Sequence, residues 1–156
     1  MIVVNNTNSN LIKRVLATLV DYGLFYLIIY TYLMFFGEPT PDGGQEVTGL
    51  LTLPVIIFWF FYFVFQEGFY SSSATPGHQL FYLKVVQLNG REIDVKHSLK
   101  RHLLDPIDLF FFGIPAIIAI QSTERNQRLG DLWAGTTVIK ISEKKETAVE
   151  VEPLNR

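Results

Sequence analysis

The sequence predicts a mainly α-helical integral membrane protein, with two full transmembrane helices, a third apolar segment that is broken or re-entrant, and a small cytoplasmic β-hairpin extended to a three-stranded sheet. Three observations predict it. The 156 residues are 49% hydrophobic and 14% aromatic, and the apolar residues are gathered into blocks instead of spread with one period. Short basic stretches flank those blocks. Between and after them lie two runs with strand character, one alternating and one β-branched.

The first block covers 15–36 and is long enough to cross a hydrocarbon core of roughly 30 Å at about 1.5 Å per residue. Lys13 and Arg14 stand at its start. Its length, its internal Asp21 and its aromatic end distinguish it from a signal peptide, so it is expected to be retained. The connection after it carries Glu38, Asp42 and Glu46 and no Lys or Arg, which predicts an outside loop. The second block, 50–65, returns the chain; Pro54 lies near its start and Gln66 and Glu67 end it. The N-terminus and the region after the second span are then cytoplasmic.

A polar stretch, Ser71 to Gly77, leads to Phe81–Leu88, an Asn89-Gly90 turn and Arg91–Val95, which together read as a hairpin over 81–95. An isolated hairpin is marginal in water, and the β-branched run 136–141 is the expected third strand. The third apolar block, 103–120, is barely long enough to span, and Asp105-Pro106 and Gly113-Ile114-Pro115 interrupt it. A full crossing would leave Arg125, Arg128 and Lys140 outside. A turn near Gly113 keeps them inside with Lys84, Arg91, Lys96, Lys100 and Arg101. Charge bias and strand pairing both favour the turn. Residues 1–141 thus form one membrane domain, and the mixed-charge tail 142–156 is expected to be disordered.

The net charge of -2 gives no footprint for nucleic acid, and the absence of cysteine removes disulfides and thiolate chemistry. His78, His97 and His102 lack ligand spacing, so no metal is expected, and Lys96-His97 and Arg101-His102 read as interfacial basic patches. Ser71 to Ser73 has no nucleophile motif and reads as a turn. No cofactor is implied and no enzyme is expected.

The informative residues are the polar ones inside the apolar blocks. Arg14, Thr18 and Asp21 fall at i, i+4 and i+7 and share one helix face, with Asp21 roughly 10 Å deeper than Arg14. An ionised aspartate near the bilayer centre costs about 2.5–3.5 kcal/mol on insertion scales, so it is expected to face protein or water. Lys100-Arg101 and Asp108 repeat the spacing of Lys13-Arg14 and Asp21, and Arg101, Asp105 and Asp108 form a second stripe. The two stripes are expected to converge in one network, with Glu67 as a possible accessory or a solvated boundary residue. Two readings stay open: an intramembrane ion or proton pathway, and interhelix bonds that only fix packing.

The residues just described resemble the RDD family of small membrane proteins, named for one arginine and two aspartates. Arg14, Asp21, Ala74-Thr75-Pro76-Gly77 ahead of Leu83-Lys84-Val85-Val86, and Arg128-Leu129-Gly130-Asp131-Leu132-Trp133-Ala134-Gly135-Thr136 carry the resemblance. It implies that Asp131 is the second name-giving aspartate, held near the membrane surface by Arg125 and Arg128. Many members have lysine at the position of His78 and histidine at that of Gly130, so the resemblance lends no support to a phosphate or proton-relay role there. The resemblance implies an unassigned activity, with transport proposed. The expectation is ion or small-solute transport through an oligomer in a bacterial plasma membrane, or a membrane scaffold that assembles with membrane lipids and another membrane protein.

Overall fold

The computed structural model describes residues 9–70 and 72–141; the expected tail 142–156 and Ser71 lie outside the described residues. Helix α1 (Ser9–Phe36) buries one narrow stripe, Arg14, Ala17, Asp21 and Phe25, spaced three or four residues apart on one face. Its other faces leave Leu19, Leu24, Leu27, Tyr30 and Phe35 exposed. Two-residue strands β1 (Glu38–Pro39) and β2 (Gln45–Glu46) close the acidic connection as an antiparallel pair.

A second apolar helix runs over Gly49–Phe69, so both α1 and this helix are long and apolar enough to cross a membrane. It opens with a 3-10 turn (Gly49–Thr52), continues as α2 (Leu53–Trp59) with Pro54 in the first turn, passes through a π-helical stretch (Phe60–Phe65) and ends as α3 (Gln66–Phe69). The α2 part buries nothing, whereas Phe63, Val64 and Glu67 are buried. Glu67 follows Phe63 by four residues and Val64 by three, so the helical period carries it onto the same buried face.

Beyond this helical pair lie α4 (Pro76–Leu80), β3 (Leu83–Gln87), α5 (Val95–Leu103), α6 (Asp105–Asp108), α7 (Phe110–Ser122), α8 (Leu129–Ala134) and β4 (Thr136–Lys140). Strands β3 and β4 pair antiparallel over five residues, with Val85 opposite Val138. The expected three-stranded sheet is corrected to this two-stranded ladder. The Asn89-Gly90 turn does form, with Gly90 N–H donating to Gln87 O at 2.8 Å and Arg91 N–H to Asn89 Oδ1 at 2.9 Å. The run 91–95, however, contributes a single bridge, Glu92 to Val86. Asp94 leaves the strand because its carboxylate caps α5, accepting from His97 N–H at 3.0 Å. Ala17, Leu83, Val85, Ile93 and Val138 form the apolar core, with Phe81 packed against it.

The block 103–120 is not one helix. It contains the end of α5, the four-residue α6 and then α7, in which Phe111, Phe112 and Gly113 have left-handed backbones (φ 45°, 60° and 82°). The straight helical part after that break is about 14 Å long, under half of a bilayer core. The chain from Gln87 to Thr136 begins and ends at the same ladder.

Two glycines set the docking of the short helices. A Cβ on Gly77 would lie 2.2 Å from the Ala17 carbonyl oxygen of α1, and one on Gly130 would lie 2.5 Å from that of Arg101 on α5. Each glycine therefore lets a short helix rest on the backbone of a longer one. The strands β3 and β4 follow these short helices at the same sequence spacing and pair antiparallel.

Candidate functional site

The expected single network resolves into two buried clusters at one end of the helical pair. The larger is centred on Asp131, which is fully buried in α8. Arg14 Nη2 of α1 reaches its Oδ2 at 2.7 Å, and Arg101 Nε of α5 reaches its Oδ1 at 2.7 Å. Arg14 also donates to the carbonyl of Asn126. Arg101 pairs in addition with Glu67, fully buried at the end of the second apolar helix. His102 bridges the same region, 2.6 Å from Asp105 and 3.6 Å from Glu67. Arg128 Nη1 lies 2.9 Å from Asp105, whose other oxygen also accepts from the Tyr22 hydroxyl. Asp108 caps α8, accepting from the N–H groups of Leu129 and Gly130 at 3.0 Å each.

The charges of this cluster balance. Four carboxylates (Glu67, Asp105, Asp108, Asp131) face three guanidiniums (Arg14, Arg101, Arg128) and His102. Burial pushes His102 down, but the charges of Asp105 and Glu67 outweigh it and hold the imidazole above its usual value, which favours its charged form. Burial likewise opposes ionisation of Asp131, and Arg101, Arg14 and Arg128 overcome it, holding the carboxyl well below the usual range. Arg128 is desolvated yet held above its ordinary value, chiefly by Asp105 and then by Asp131 and Asp108. Such a cluster is costly to build and costlier to break, since removing one member strands a buried opposite charge.

Asp21 belongs to the second cluster. It is 2% exposed, and among the described residues its hydrogen-bond and ion-pair partners include no Lys or Arg. Its Oδ1 accepts from Gly77 N–H at 2.6 Å. Its Oδ2 faces the Thr75 hydroxyl and His78 Nδ1, the latter at 3.2 Å. Thr75 Oγ and His78 Nδ1 are themselves 2.8 Å apart. The Tyr62 hydroxyl, within electrostatic reach of Asp21, is buried without a hydrogen-bond partner among the described residues.

The structure thus rearranges several expectations. The Arg14–Thr18–Asp21 face divides, with Arg14 serving one cluster and Asp21 the other; Thr18 is half-buried and joins neither ion-pair set among the described residues. Arg101 does not pair within its own stripe but with Glu67 and Asp131, while Asp105 and Asp108 turn to Arg128. Glu67 is no solvated boundary residue. Asp131 is held by Arg14 and Arg101 instead of Arg125, and Arg128 Nε approaches it only to 4.0 Å. His102 is a buried ion-pair member, not an interfacial patch, whereas His97 remains a partly exposed partner of Asp94. Tyr22, Thr75 and His78 were missed as participants. The Thr75-Pro76-Gly77-His78 string offered the one signal, since its threonine, amide and imidazole fall within a single turn.

Two apolar helices of membrane length, joined to a small ladder through buried Arg–carboxylate pairs, define a compact helical membrane protein. The RDD family model matches residues 9–135, and the chain belongs to the RDD family. No curated protein and no solved structure matches it.

Proposed function

We propose that the chain translocates an ion across the membrane as an oligomer, with the Asp21 carboxylate as its binding group. The observation that carries this reading is the division of the buried acids. Four are paired with Arg14, Arg101, Arg128 or His102 and act as structural ties, while Asp21 sits on the first apolar helix beside groups that are neutral or titratable and no guanidinium. Along the helix, Asp21 lies about 22 Å from Phe36, so with Phe36 at one face of a 30 Å core it would sit about 8 Å inside the other. A buried acid at that depth is a functional-site hypothesis by default. Two spans cannot enclose a pathway, so several copies would be required.

The same ladder supports the topology. A crossing between Gln87 and Thr136 would separate β3 from β4, so the pairing favours a 103–120 block that re-enters from the side it left, with both described ends cytoplasmic. A bacterial plasma membrane is the location proposed with it.

A membrane scaffold is the second reading, favoured by the balanced Asp131 cluster, whose geometry is that of an interhelix lock. Proteoliposomes carrying purified protein and loaded with Na⁺, K⁺ or a pH dye separate the two. Flux that Asp21→Asn abolishes supports translocation; absence of flux from folded oligomer overturns it. Affinity capture without a stoichiometric membrane partner overturns the scaffold.

A further inference from the structure

We infer that Asp21, Thr75 and His78 form a proton relay, in which one proton passes between the Asp21 carboxylate and the His78 imidazole through the Thr75 hydroxyl. This rests on the reading of Asp21 as the ion-binding group and names its ion.

The geometry supplies each link. Gly77 N–H holds Asp21 Oδ1 in place at 2.6 Å, leaving Oδ2 as the oxygen free to take a proton. Oδ2 faces Thr75 Oγ, and Oγ faces His78 Nδ1 at 2.8 Å. A hydroxyl has one proton to donate and lone pairs to accept with, so it can be oriented either way. In one state Asp21 Oδ2–H donates to Thr75 Oγ and the Thr75 O–H donates to an unprotonated Nδ1. In the other, the Thr75 O–H donates to the Asp21 carboxylate and Nδ1–H donates back to the hydroxyl. Passing from the first to the second breaks the Oδ2–H and Oγ–H bonds and forms a new Oγ–H and an Nδ1–H bond. One proton moves in total, Asp21 becomes a carboxylate, His78 becomes an imidazolium, and the net charge is unchanged. Loss of the Nε2 proton then leaves a neutral Nδ1–H tautomer facing the carboxylate. Asp21 Oδ1 and Oδ2, Thr75 Oγ and His78 Nδ1 each keep a partner in both states, which is what makes the two arrangements competitive in a dry site.

The surroundings favour release from the histidine over storage on it. Burial holds His78 below its usual value, opposed by its hydrogen bond and charge contact with Asp21; Arg101 adds repulsion and Glu67 attraction. The side chain of His78 is 12% exposed and that of Asp21 3%, so the imidazole is the more open end of the triad. From the second apolar helix, the Tyr62 hydroxyl, buried without a hydrogen-bond partner among the described residues, lies within electrostatic reach of Asp21. The Asp131 cluster is next door through Tyr22 and Arg101, and its carboxylates are paired within it to Arg14, Arg101, Arg128 and His102.

The test uses full-length protein in nanodiscs, followed by pH titration with infrared detection of the carboxylic-acid C=O stretch and ¹⁵N NMR of the His78 ring. The relay predicts one carboxyl band that disappears in Asp21→Asn, and an imidazole signal that changes at the same midpoint. Thr75→Val should separate the two midpoints by about one pH unit or more, the coupling that marks interacting sites, and Thr75→Ser should restore them. His78→Gln keeps a polar side chain and should leave a single carboxyl transition with a moved midpoint. If Asp21 stays ionised throughout, or if the two signals titrate independently in the wild type, the relay is overturned. Proteoliposome flux is read in parallel: Na⁺ flux without coupled proton uptake defeats the relay but not translocation, and coupled titration without flux defeats translocation but not the relay.

Discussion

Arg14 and Asp131 meet at 2.7 Å although 117 residues separate them in the chain. The contact ties the first turns of α1 to the short helix before β4, and Arg101 holds the other oxygen of the same carboxylate. Asp131→Asn should therefore cost about 3–5 kcal/mol, because it leaves guanidiniums buried and uncompensated. Arg14→Met should cost a similar amount, and the double variant less than the sum of the two. Reversible unfolding in mixed micelles measures all three; additive losses would mean that the pair does not act as a unit.

The two buried histidines give stability opposite slopes with pH. His102 has a folded value above its ordinary 6.5, so its contribution is complete below pH 6.5 and is lost as pH rises from there through the folded value. His78 has a folded value below 6.5, so stability falls as pH drops from 6.5 toward it. Melting curves of His102→Gln should lose the alkaline decline and those of His78→Gln the acidic one. Unchanged slopes in both variants would place the pH dependence elsewhere.

Gly77→Ala and Gly130→Ala should each destabilise by about 3 kcal/mol, the upper end for overpacking, since the new methyl meets backbone carbonyl oxygen. Gly135→Ala has open space around its Cβ but a φ of 67°, and should cost about 1 kcal/mol. The ordering of the three losses is the outcome to check by thermal unfolding, and a tolerated Gly77→Ala would contradict the α1–α4 approach.

With no native cysteine, single cysteines report topology directly. Gly44→Cys should be labelled from one side of the membrane, and Ser72→Cys, Asn89→Cys and Lys140→Cys from the other. Labelling of Lys140→Cys from the Gly44 side would be incompatible with the β3–β4 ladder in the membrane-bound protein.

What the residues disclosed in advance was largely local. Both apolar helices, the interruption at Gly113 and the strand character of 136–141 follow from hydropathy, breakers and β-branching, which act within a few residues. The partner of each buried charge does not. Arg14 carries the same sequence signature whether it snorkels to a headgroup or pairs with Asp131, because the difference lies in packing across 117 residues. Glu67 looked like a helix-end carboxylate because its partners Arg101 and His102 stand on α5, far along the chain, where local sequence gives no sign of them. The run 91–95 looked like a strand because Asp94 reads equally as a turn residue or a helix cap, and α5 took it.

The β3–β4 ladder is centred on Val85 opposite Val138, the middle residue of each strand. Each valine stands at the same distance from its docked glycine, Gly77 or Gly130, so the two strands meet at like positions. The residue after each glycine sets the character of its site: Asp131 after Gly130 is gripped by Arg14 and Arg101, whereas His78 after Gly77 faces Asp21 with no guanidinium between them.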